Sequence, residues 1–101
     1  MIIHILKFHV KAGKEKSVHK IIRHHLMVLK EHHHREMSYH SFRDANDKLQ
    51  FVNIKTFESK AAEERYENSP VLRGYFERLN TVIDGGIDYH KMESFEFYTS
   101  K

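Results

Sequence analysis

Three alternate residues, Asn53, Lys55 and Phe57, set an amide, an ammonium and an aromatic ring in line. In a strand they share one face, because side chains alternate with a period of two. An amide and an ammonium beside an aromatic wall can hold an organic anion in a dry cavity, where fixed donors stabilise charge better than water does. His4 shares a strand face with Leu6 and Phe8 and can accept a proton near neutral pH. Tyr39 and Tyr66 offer hydroxyls, and Phe8, Phe51 and Phe57 offer aromatic walls. Each residue also has a plainer use. Asn53 can bond across a sheet, Lys55 can reach the rim along its aliphatic stem, and the rings can fill a core or a contact between two copies.

Other chemistries are poorly served. With no cysteine among 101 residues there is no thiol nucleophile and no disulfide framework, and a cytoplasmic location is expected. Ten histidines are present. Of these, His32, His33 and His34 are consecutive, so at a helix end they diverge and make no preorganised metal site. His4, His40 and His90 fall on three strand-like runs and could converge only if their faces agree. We expect no metal and no cofactor. Gly85-Gly86 lacks the spacing of a nucleotide-binding loop, and no nucleophile elbow or carboxylate pair can be assembled. A balance of 17 basic and 14 acidic residues gives a net charge of +3, spread thinly, which argues against nucleic acid. No apolar run approaches the length of a membrane span, and MIIHILKF is not built as a signal peptide.

The elements follow from periodicity. Ile2–Val10 reads as a strand with apolar residues on both faces, and Lys11 to Lys14 as the turn out of it. From about Lys14 into the low thirties, Val18, Ile21, Ile22, His25, Val28 and Leu29 mark one side of a helix. Ser38–Arg43 and Phe51–Phe57, joined by the polar turn Asp44 to Lys48, form an antiparallel hairpin. Ser59 caps one helical segment, and Ser69-Pro70 starts a second whose stripe is Leu72, Tyr75, Phe76, Leu79 and Val82. Asp84-Gly85-Gly86 is expected to stop that helix, with Ile87–Tyr98 as the last strand.

The order predicts one α+β domain over residues 1–101, a ferredoxin-like βαββαβ fold with a four-stranded antiparallel sheet. Helices cover one face. The other is expected to expose Phe8, Phe51, Phe57 and part of the Phe95, Phe97 and Tyr98 set, a patch larger than a monomer usually tolerates. A homodimer packed sheet to sheet, a dimeric α/β barrel, would cover it and leave room for a small aromatic or hydrophobic ligand.

The chain resembles the antibiotic biosynthesis monooxygenase family of dimeric α/β barrels. The resemblance lies in the opening strand running into Val10-Lys11-Ala12-Gly13-Lys14-Glu15, in Ser38-Tyr39 and Phe42-Arg43-Asp44, in the block Phe51 to Ser59, and in the approach to Asn68-Ser69-Pro70. It implies a cofactor-independent monooxygenase acting on a quinol-like or polycyclic phenolic substrate. Asn53, His4 and Tyr66 are then the catalytic candidates, and Phe8, Tyr39, Phe51, Lys55 and Phe57 the substrate-binding ones. The haem-degrading branch of the family is marked by a first-strand Asn, a third-strand Trp and a helical His. Here Leu6, Phe57 and Tyr66 stand in those places, so haem degradation is disfavoured. The alternative is a non-catalytic barrel that binds a small hydrophobic ligand or serves a structural role.

Overall fold

Every second residue from His4 to Val10 is buried, and so is every second residue from Phe51 to Phe57. That alternation decides which face of the sheet meets the helices. In the computed structural model, which describes residues 1–32 and 34–100, the chain runs β1 (Ile2–Val10), α1 (Glu15–Glu31), β2 (Met37–Arg43), β3 (Gln50–Phe57), α2 (Lys60–Glu67), α3 (Pro70–Leu79) and β4 (Ile83–Glu93). The four strands form one antiparallel sheet in the order β2-β3-β1-β4. This is the ferredoxin-like βαββαβ order, with the second helical region divided in two. His33, inside the predicted histidine run, lies outside the described residues.

The helices start where the sequence indicates. Ser59 caps α2, its hydroxyl accepting from the Ala62 amide at 3.1 Å. Ser69 does the same for α3 toward Val71 at 3.2 Å, with Pro70 in the first turn, where its missing N–H costs nothing. The buried stripe of α1 is Val18, Ile22, His25 and Leu29. Two apolar clusters result. Val18, Ile22, Tyr75 and Leu79 meet Phe8, Val10 and Phe51, while Leu29, Ala62 and Tyr66 meet Phe57. Between the Phe8–Phe51 and Ile2–Phe57 pairs, the register sets His4 beside Lys55 and Leu6 beside Asn53, so a band of polar side chains crosses an otherwise apolar layer.

Three expectations are corrected. Phe8, Phe51 and Phe57 are not on the open face: they are buried at 2%, 8% and 0% exposure. The open face instead carries Ile3, Ile5, Val52 and Ile54, all half-buried. Both faces are apolar, so alternation alone could not say which is inside, and the helix stripes settle on the bulkier aromatic set. Second, Asp84-Gly85-Gly86 does not follow a helix directly. The helix ends at Leu79, and the glycines lie within β4, where Gly85 takes φ +84° and the pairing with β1 shifts register between Lys7 and His9. Only glycine enters that region without strain. Third, β4 ends at Glu93, opposite Ile2, the first residue of β1. Phe95, Phe97 and Tyr98 lie beyond the paired part of β4, and they stand 94%, 84% and 87% exposed.

Candidate active site

The sheet register places Tyr39, Lys55, His4 and Lys91 in one row across four strands, and Ser41, Asn53, Leu6 and Tyr89 in the next. All eight side chains lie on the helix-facing side. Above the β1 and β4 part of these rows, α2 and α3 leave a cavity of about 360 Å³. His4, Lys55, Glu67 and Tyr89 supply its polar atoms, and Leu6, Leu72, Phe76 and Ile87 its apolar walls.

Lys55 is the unusual member. It is 2% exposed, and its Nζ lies 4.8 Å from the Tyr66 ring centre and 5.7 Å from that of Phe76. Among the described residues no carboxylate comes within ion-pair distance of it. Burial pushes its amine down to about 8, against the pull of Glu67, which favours the ammonium. Among the described residues the ammonium is thus contacted by two ring faces and borders the cavity, an arrangement in which burial, not an ion pair, sets its proton affinity.

His4, 2% exposed, forms the adjoining wall. Its Nε2 is 2.6 Å from Glu63 Oε2, and the same oxygen takes an ion pair from Lys91 Nζ at 2.8 Å. The hydrogen bond from Lys91 holds the Glu63 carboxyl below the usual carboxylate range; burial opposes this, and the His4 bond adds to it. Glu67 Oε1 lies 3.8 Å from His4 Nε2. His4, Glu63 and Glu67 are close enough together to attract a cation, and the Lys91 ammonium already pairs with one of them, Glu63. Behind His4 the Phe57 ring packs at 4.8 Å.

Asn53 is placed differently. It is wholly buried, accepts from Ser41 Oγ at 2.7 Å and donates to Tyr75 Oη at 2.7 Å. Tyr39 donates to the same Tyr75 oxygen at 2.6 Å. The amide thus faces protein hydroxyls and does not line the cavity. Tyr66 is shielded too: it shares a 2.8 Å hydrogen bond with His25 Nε2 while its ring lies under Lys55. Burial holds the Tyr39, Tyr66 and Tyr75 hydroxyls above their ordinary range, so they remain donors. His25 stacks on Tyr75 at 3.9 Å and stays neutral, because burial first, then Lys55 and Arg78, bring it down to about 3.

Of the predicted residues, then, the structure brings His4 and Lys55 together on one cavity, with Phe57 and Tyr66 directly behind them. Phe8 sits in the core. Phe51 and Tyr39 border a wider hollow of about 560 Å³ between α1 and β2, whose charged rim, including Lys16, Arg23 and Arg43, is exposed. We place the candidate site at the smaller cavity because two buried ionisable groups, His4 and Lys55, converge on it. His40 and His90, paired with Ile54 and Ile5, lie on the opposite sheet face from His4. Sequence reasoning missed Glu63, Glu67, Leu72, Phe76, Ile87 and Tyr89 as parts of this site. A signal existed for Glu63, which falls on the inward stripe of α2 with Ser59, Ala62 and Tyr66.

Comparison with known proteins supplies the relationship. The profile of the family described as "Antibiotic biosynthesis monooxygenase" matches residues 1–78. Among curated proteins none matches. Solved structures share the fold at low identity. A crystal structure of an antibiotic biosynthesis monooxygenase is 18% identical with TM-score 0.80, covering 95% of this chain and 100% of that one. Rv0793 from Mycobacterium tuberculosis is 11% identical with TM-score 0.82, covering 97% and 98%. A mutant of SnoaB, a cofactor-independent oxygenase from Streptomyces nogalater, is 10% identical with TM-score 0.83, covering 98% and 97%.

Proposed function

The chain belongs to the antibiotic biosynthesis monooxygenase family, and from that premise we propose that it is a cofactor-independent monooxygenase oxidising a small quinol-like or phenolic substrate with molecular oxygen. The observation that carries this reading is the pairing of Lys55 and His4, each 2% exposed, on one aromatic-walled cavity of about 360 Å³. Such chemistry starts from the substrate's anion, which gives up an electron to dioxygen far more readily than the neutral phenol. His4 takes the phenolic proton and the Lys55 ammonium holds the oxygen anion. In the simplest case the ring carbon opposite the hydroxyl exchanges its C–H for C=O. One oxygen atom of dioxygen enters the ring, the other leaves as water, and the electrons come from the substrate. The cavity volume favours one or two fused rings over a larger polycycle. Asn53 serves this site from behind, by fixing Tyr75 and the strand beside Lys55.

Oxygen uptake with a panel of hydroquinones, naphthols and anthrone-like compounds, without flavin, haem or metal, tests the reading. Uptake that disappears in Lys55→Met and in His4→Gln supports it. Tight binding across the panel without uptake would instead favour the second reading, a barrel that only binds a hydrophobic ligand. The closed hydrogen-bonding of Asn53 within the protein speaks for that alternative.

A further inference from the structure

Glu63 is the only buried carboxylate among the described residues, and proton transfer between His4 and a phenol does not by itself require one. Its position on the inner face of α2, between Ala62 and Tyr66, would ordinarily hold an apolar side chain. Instead its Oε2 meets His4 Nε2 at 2.6 Å and Lys91 Nζ at 2.8 Å. An ionised carboxylate has only acceptor sites, so the ring nitrogen facing it must carry hydrogen. That leaves the other ring nitrogen, Nδ1, as the lone-pair site of the neutral imidazole.

We infer that Glu63 is a positioning residue, fixing the His4 proton on Nε2 so that Nδ1 accepts the phenolic proton of a substrate, while Lys91, by sharing the same carboxylate oxygen, tempers that action. The inference rests on the reading of the cavity as a phenol site. In the step the phenolic O–H bond breaks, the Nδ1–H bond forms, and the electron pair stays on the oxygen beside Lys55. The imidazolium that results is balanced by Glu63, and nothing is oxidised or reduced. The charged groups around His4 are Glu63 and Glu67 from α2, Lys91 from β4 and Lys55 from β3, with the Tyr89 ring 5.4 Å away. Glu67 is half-exposed and 3.8 Å off, so Glu63 is the group in hydrogen-bond contact.

The probe is 4-nitrophenol, whose phenolate absorbs visible light where the phenol does not, bound to the full chain without oxygen at a pH below the probe's own titration. Wild type should bind it as phenolate. In Glu63→Gln the phenolate fraction of bound probe should fall about tenfold or more, the scale of a neighbouring opposite charge on a proton equilibrium. In Lys91→Met, at a half-exposed position, the fraction should rise. An undiminished phenolate band in Glu63→Gln, or an unchanged or smaller one in Lys91→Met, overturns the inference. If nitrophenol does not bind at all, the phenol reading fails. Nitrogen-15 NMR of His4 in the ligand-free chain then decides the role of Glu63 separately. A single Nε2–H tautomer that becomes mixed in Glu63→Gln supports it, and the same tautomer in both proteins overturns it.

Discussion

Lys55 is the residue on which stability and binding pull apart. Its ammonium is buried with no carboxylate partner among the described residues, so the fold carries a cost that an apolar residue of similar length would remove. Lys55→Met should therefore be more stable at neutral pH by roughly 1–3 kcal/mol, given that each pH unit by which a titration moves is worth about 1.4 kcal/mol. The same variant should lose affinity for phenolates while keeping affinity for neutral aromatics. The sign with pH follows. The folded amine releases its proton near 8, whereas the unfolded one keeps it to its ordinary 10.5. In that window the unfolded chain holds more protons, so stability rises with pH while anion binding falls. Urea titrations and phenolate binding at pH values on either side of 8 would show the two trends crossing in wild type and both absent in the variant. A Lys55→Met protein less stable than wild type at every pH would show that the ammonium is structurally satisfied.

At the scale of elements, α2 carries Glu63, Tyr66 and Glu67 to the site and is only eight residues long. A helix that short depends on its cap and its packing. Removing the Ser59 hydroxyl, which accepts from Ala62 and donates to Glu36 at 2.9 Å, should cost about 1 kcal/mol. It should also weaken phenol binding, read by the urea midpoint and the nitrophenol titration of Ser59→Ala. The caps at Ser59 and Ser69 were legible in the sequence, as was the element order, because each start signal precedes an apolar period that matches its element. The facing of the sheet was not legible. Phe8 and Ile5 are equally apolar, and only the assembled helices choose between their faces. The end of β4 was hidden for a related reason: Phe95-Glu96-Phe97 alternates like a strand, but the register with β1 runs only to the Ile2–Glu93 pair. His4 and Lys55 could be read from strand parity, whereas Glu63 needed the packing of α2 on β1.

On the scale of the whole molecule, the open sheet face is covered by no helix among the described residues. Ile3, Ile5, Val52 and Ile54 are half-buried there, with Phe42 and Met92 at 43% and 48% exposure toward the edges. No helix of the described residues is long and apolar enough to cross a membrane, and we propose that a second copy covers this face. Sedimentation should give twice the 12.1 kDa chain mass. The double variant Ile5→Lys and Ile54→Lys should give the single mass, since opposed charges of one sign would be buried in the contact. Wild type sedimenting as a monomer at micromolar concentration would contradict the proposal.

The central claim is that the chain itself, using Lys55 and His4 and no bound cofactor, directs dioxygen onto a phenolic ring. Isotope labelling reads this most directly. Protein dialysed against chelator is given 1-naphthol, whose ring carbon opposite the hydroxyl bears hydrogen, under oxygen-18 gas, and the product is weighed by mass spectrometry. One labelled oxygen atom per product molecule is the predicted result, at rates that fall at least about a hundredfold in His4→Gln, the usual scale for losing a general base. Product that carries no label, or label incorporated equally well by His4→Gln and Lys55→Met, would contradict the account.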